Sequence, residues 1–298
     1  MERNKPKPKP KIIRSIQAFR AIACILIVLF HSSGIFDKYF ERPLISEIFK
    51  FGNFRVPFFF ILSGFIMHHI HQKDFGKPDK FIPYFKKRIT RIYPLYWMIT
   101  LSVLPVFFLF PNFGTERHKD IIVIIKSLLL IPQDNYPILG VAWTLTFEIS
   151  FYCALSLLIL NLRIGRFLIQ TWLISCILVK LFSLNLIFPY TFIFSEYNIF
   201  FGIGISISIS KVIYTKFYSH IEAFFTKRKL LLYIGNASYS IYLVHYPILS
   251  ITAKIMTTLK IDNYISNSLI FILISLIGVF SGLVTYEVIE QRLSRWLR

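Results

Sequence analysis

Arg20 and His31 stand eleven residues apart inside the first apolar stretch of the sequence. Eleven residues make about three helical turns, so both side chains leave one helix face, roughly 16 Å apart along the axis. Ionisable groups inside a membrane span are expensive and usually functional. That face would therefore offer a fixed cation and, farther along, an imidazole able to act as a base near neutral pH. A lone His31 could equally be an imidazole snorkelling at the interface. The same-face Arg20 argues for a polar interior surface instead.

A carboxylate completes the set. Glu148 follows Trp143-Thr144-Leu145-Thr146-Phe147 near the start of another apolar run, about 10 Å inside the span at the helical rise. A buried carboxylate must be paired, hydrogen-bonded or protonated. At similar depths Glu148 and His31 would form an acid–base pair able to deprotonate a hydroxyl; a structural Glu–Arg pair is the plainer reading. Glu196 is a second candidate buried carboxylate. In Lys86-Lys87-Arg88-Ile89-Thr90-Arg91, Arg88 and Arg91 are neighbours if the segment is helical. Guanidinium groups grip phosphate, although basic residues also set topology. Ser63-Gly64 is foremost a close-packing signal. Ser238-Tyr239-Ser240, Tyr242 and His245 offer hydroxyls and an imidazole. His68 and His71 could begin a metal site, but no third ligand follows at a fitting spacing, so no metal is expected.

These residues need helices in a membrane to position them. The 298 residues are 55% hydrophobic, including 32 phenylalanines, above the roughly 45–50% of soluble domains. Apolar runs of spanning length recur near residues 16–34, 51–70, 92–110, 141–160, 167–182, 191–210, 232–251 and 267–286. The run 121–132 is short and holds Lys126, which predicts an interfacial or re-entrant helix. Short alternating strands are lacking, which argues against a transmembrane barrel. The expected fold is an all-α polytopic bundle of 8–10 spans. Basic and less basic loops alternate, which puts both termini in the cytoplasm. The net charge of +19 gathers at the ends of apolar runs, which speaks for membrane lipids and against nucleic acid. Cys24, Cys153 and Cys176 lie within apolar runs and imply no disulfide framework. Residues 1–14 form a lysine–proline arm that favours an extended, solvated chain, and 15–298 form one membrane domain.

In this order the landmarks resemble acyltransferase family 3, the membrane O-acyltransferases. They are the Arg20–His31 spacing, Phe59-Phe60-Ile61-Leu62-Ser63-Gly64-Phe65, the Arg88–Arg91 pair, Trp143 to Glu148 leading into Phe151-Tyr152, and Ser238-Tyr239-Ser240 with Tyr242-Leu243 and His245. The resemblance implies a multi-pass protein of a bacterial inner membrane. It implies transfer of an acyl group, commonly acetyl, from acyl-coenzyme A to a hydroxyl of a surface polysaccharide or its lipid-linked precursor. No bound cofactor is implied; acyl-coenzyme A is the donor substrate. His31 and Glu148 would be catalytic. Arg88, Arg91 and Lys87 would meet the donor's phosphates, with Arg20 deeper along its path. Ser63, Trp143, Tyr239, Ser240 and His245 would contact substrate. Intramembrane Arg, His and Glu also suit a transporter or flippase for a lipid-linked sugar.

Overall fold

The computed structural model describes residues 14–40, 54–110, 114–210 and 216–297. The lysine–proline arm through residue 13 and the segment 41–53 therefore lie outside the described residues. Within them all regular elements are helical: α1 (Arg14–Phe40), α2 (Arg55–His71), α3 (Phe81–Leu109), α4 (Ile121–Leu128), α5 (Trp143–Leu160), α6 (Leu162–Leu181), α7 (Tyr190–Ile193), α8 (Glu196–Ile209), α9 (Lys216–Thr226), α10 (Lys229–Asn236), α11 (Ser238–Thr258), α12 (Asn267–Thr285) and α13 (Gln291–Trp296). A π-helical turn, Tyr286–Glu290, joins the last two.

Among the described residues, six stretches are long and apolar enough to cross a bilayer: Arg14–Phe40, Pro78–Leu109, Gly140–Leu160, Leu162–Leu181, Tyr190–Ile209 and Asn267–Trp296. The protein is thus a multi-pass membrane protein by helix composition. The other two expected spans coincide with α2, which is 17 residues long, and α11, which carries Ser238, Ser240 and His245 among its apolar residues. The run 121–132 forms only the eight-residue α4, too short to span.

The basic segment 86–91 is helical: α3 begins at Phe81, so the cations ride on the helix and Arg88 and Arg91 are neighbours. Two expectations need correction. The run 232–251 is broken at Ala237 into α10 and α11. Gly235 lies so close to α1 that a Cβ there would stand 2.0 Å from the Gln17 carbonyl oxygen. Glu196 is not buried; it opens α8 and pairs with Lys180 at 2.6 Å near the surface.

Without a hydrophobic drive between helices in lipid, close van der Waals contact holds the bundle. Gly64 of α2 and Gly204 of α8 supply it reciprocally. A Cβ on Gly64 would sit 2.2 Å from the Phe201 carbonyl oxygen, and one on Gly204 would sit 2.1 Å from that of Ile61. Phe60, Phe151 and Phe201 fill the adjoining core, the last two stacked at 4.0 Å. α1 runs against α2, α10, α11 and α12, so its side chains face helices drawn from both ends of the sequence.

The start of α1 has no acidic residue of its own. Glu222 of α9 supplies one, accepting hydrogen bonds from the backbone N–H groups of Arg14 (2.7 Å) and Ser15 (2.8 Å). These groups would otherwise lack helical partners. Burial pushes the Glu222 carboxyl up, but the bonds from Ser15 and Arg14 outweigh it and hold the group below its ordinary value.

Candidate functional site

Where α1, α2, α3, α5 and α11 converge, they enclose a cavity of about 130 Å³. Arg20, Ser63, Arg88, Arg91, Glu148 and Tyr239 all line it. Six residues singled out from the sequence, scattered over 220 positions, thus share one chamber.

Glu148 is its acidic centre. The hydroxyls of Ser63 and Tyr152 both donate to Oε1 at 2.5 Å. No hydrogen bond from the described residues engages Oε2. Tyr152 lies one turn past Glu148, so the pair was available in the sequence as an i, i+4 spacing. Arg88 is buried and donates to Nε2 of His71 at 2.5 Å. Guanidinium can only donate, so Nε2 accepts and Nδ1–H donates to Asp74 at 3.1 Å. Arg88 also lies over the rings of Tyr84 and Tyr152, while its buried Nε finds no hydrogen-bond partner among the described residues. Across the chamber, Tyr239 donates to the Ile92 carbonyl at 2.7 Å, and Thr144 and Tyr242 share a bond of 2.5 Å.

A second hollow, of about 590 Å³, adjoins the chamber through two shared residues, Arg20 and Arg91. Lys86, Lys87 and Thr90 line it as well. The α3 cations therefore divide: Lys87 faces the basic hollow, Arg88 faces the chamber, and Arg91 borders both. Lys87 and Arg91 are an i, i+4 pair on one helix face, while Arg88 is turned away from Lys87 by a further 100°.

Glu290 also lines this basic hollow and accepts a hydrogen bond from Ser240. Sequence reasoning missed it. It lies just beyond the last apolar run, among residues whose cations dominate the eye. The signal was the pair Glu287 and Glu290 directly after that run; Glu287 accepts from Tyr233 at 2.7 Å. Ser240 thus reaches the site by holding Glu290.

His31 is not among the chamber-lining residues. It lies one turn beyond Ile27, which is. Its ring stands 5.2 Å from that of buried His245 and 5.3 Å from that of Tyr246. His245 donates Nδ1–H to the Ile241 carbonyl at 3.0 Å, and its ring lies 5.9 Å from that of Tyr242, which lines the chamber. The chain of rings His31, His245, Tyr242 therefore leads from the second half of α1 to the chamber wall. Trp143 goes elsewhere, to a separate cleft. Among the described residues no cluster of three or more His, Cys, Asp or Glu could hold a metal ion. His68 instead pairs with Ser208 at 2.8 Å.

The acyltransferase domain of the acyltransferase 3 family matches residues 13–222, and the chain belongs to that family. This defines its class as an acyltransferase enzyme. The chain is also similar to the exopolysaccharide production protein ExoZ of Rhizobium meliloti (strain 1021), 33% identical over 117 residues. That similarity covers 36% of this chain and 34% of ExoZ, about a third of the relative's length. No solved structure matches. The matched domain stops before Tyr239 and Glu290, although these residues complete the chamber and the basic hollow.

Proposed function

We propose that the protein transfers a short acyl group, acetyl by preference, from acyl-coenzyme A to a hydroxyl of a surface polysaccharide or its lipid-linked precursor. The observation that carries this reading is the pair of adjoining hollows, one basic and one lined by Glu148 and hydroxyls, joined at Arg20 and Arg91. Family membership supplies the reaction class, and the likeness to ExoZ favours a polysaccharide acceptor.

The donor's phosphates would rest on Lys87 and Arg91 in the basic hollow, on the cytoplasmic side of a bacterial inner membrane with both termini on that side. Its thioester would pass Arg20 into the chamber. The chamber's volume is close to the ~150 Å³ of cavities that hold benzene, which favours acetyl over a fatty chain. His31 would take the proton from the acceptor hydroxyl as its oxygen attacks the thioester carbonyl. The C–S bond then breaks, and the proton passes to the departing thiolate. Because His31 lies one turn beyond the chamber-lining Ile27, the acceptor would reach the imidazole from that side, and Glu148 would oppose its gained positive charge from within the chamber rather than by direct contact. Ser63 and Tyr152 hold Glu148 in place for this.

The test is transfer of radiolabelled acetyl from acetyl-coenzyme A to glycan in washed membranes. The wild type is expected to transfer label, and His31→Ala to lose transfer by about 10²-fold or more while the protein stays in the membrane. Full activity in that variant would remove His31 from the mechanism. Lipid-linked sugar movement without label transfer would favour a flippase.

A further inference from the structure

Trp143 and its neighbours line a cleft of about 400 Å³ at the N-terminal end of α5. The other end of that helix abuts the lysine-rich turn before α3: Gly76 N–H donates to the Leu158 carbonyl at 2.8 Å. Trp143 lies fifteen residues earlier, roughly 22 Å along the axis. The cleft therefore sits at the end of α5 away from Lys77 and Lys80.

Its wall is aromatic. The rings of Trp143 and Tyr197 lie 5.1 Å apart, and those of Phe147 and Phe192 lie 4.2 Å apart. Its rim is polar. Asp134, Asn135 and Tyr136 are exposed, and no hydrogen bond among the described residues engages their side chains. Among the described residues its lining includes no lysine or arginine, and Asp134 is the one charged side chain.

The first two turns of α5 serve this cleft and the chamber together. Thr144, Leu145 and Glu148 line the chamber; Trp143, Thr146 and Phe147 line the cleft. Phe60, on the chamber side, meets Phe147 at 5.9 Å and Tyr197 at 5.7 Å, on the cleft side. Aromatic rings thus form the partition between the two spaces.

A pyranose has apolar C–H faces and a belt of hydroxyls. Its faces stack on aromatic rings, and its hydroxyls bond carboxylates and amides. A uronic acid would meet Asp134 with no cation to offset it. We propose that this cleft binds a neutral pyranose of the acceptor glycan, stacked on Trp143 and Tyr197 with its hydroxyls on Asp134 and Asn135. The proposal rests on the acyl-transfer reading and adds a donor-independent acceptor site.

The full-length protein in lipid nanodiscs can be applied to an array of pyranose oligosaccharides, neutral and uronic. A parallel arm carries the same sugars on polyprenyl anchors in liposomes. Retention of neutral sugars is expected, falling roughly tenfold in Trp143→Ala and in the rim variant Asn135→Ala with Tyr136→Ala, as lost contacts of this kind predict. The rim residues are exposed, so that variant spares the core. Retention of free sugars supports the proposal with a soluble glycan as source; retention of anchored sugars alone supports it with a lipid-linked precursor. Retention of uronic sugars only, of none in either arm, or retention that all variants leave intact overturns it. Calorimetry with coenzyme A separates the two readings: glycan retention without coenzyme A binding would overturn acyl transfer and leave the cleft standing.

Discussion

Glu148 and Glu290 are set up alike and placed differently. Each accepts a hydrogen bond from a serine, Ser63 for one and Ser240 for the other. Arg20 and Arg91 border both their hollows, and Arg20 has Arg91, Glu290 and Glu148 as electrostatic neighbours. Glu148 stands one turn inside a regular helix and faces the chamber. Glu290 ends a π-helical turn, a local widening that often marks functional sites, and faces the basic hollow. The same arginine pair is thus flanked by a carboxylate at each depth. On the proposed reading the inner one meets the reacting groups, and the outer one meets the donor's phosphates. On that reading depth, more than residue type, would separate chemistry from binding.

Replacing each carboxylate by its amide would sharpen or break that contrast. Glu148→Gln keeps the shape and removes the charge. On the proposed mechanism acetyl transfer falls by about 10²-fold or more, with the coenzyme A dissociation constant changed far less. Weakened coenzyme A binding with an unaltered rate constant would reverse the roles of the two residues. Glu290→Gln should act in the opposite sense on binding. Removing a negative charge from a phosphate-binding hollow is expected to tighten coenzyme A about three- to tenfold, an effect that shrinks as salt is raised. Calorimetry at two ionic strengths reads it, and unchanged or weaker binding would show that Glu290 is structural support for Ser240 alone.

Glu222 is the control, a carboxylate that caps α1 and lines neither hollow. Glu222→Gln is expected to cost roughly 1 kcal/mol of stability at neutral pH, as lost caps do. The sign follows from its carboxyl lying below its ordinary value in the folded protein. Its contribution is present above the unfolded carboxyl's pKa of about 4.3. It fades as pH falls through the lower folded value. Melting temperatures should therefore separate wild type from variant at pH 7 and draw together as pH falls below the unfolded carboxyl's value of about 4.3. Equal melting temperatures at pH 7 would remove the cap from the stability of α1.

The membrane architecture was legible in composition because a bilayer demands long apolar helices, whose runs need no tertiary knowledge to see. The Arg20 position, the α3 cations and Glu148 were legible because charge inside such runs is costly. Helix breaks were less so: α10 and α11 part within one apolar run, beside a Gly235 that approaches the α1 backbone. That approach depends on a partner more than 200 residues away. The grouping of side chains was likewise out of reach. Whether Arg88 shares a hollow with Lys87, whether His31 meets His245, and whether Trp143 joins the chamber all depend on how helices rotate against one another. Glu290 carried too little local signal against its basic neighbours.

The sequence by itself determined that this chain is a helical membrane protein with charge buried in its spans, because transfer of polar groups into lipid penalises every other arrangement. Only the tertiary structure decided which charges share a space. Helix rotation and close glycine contacts settle that question, and they depend on neighbours far away in the chain.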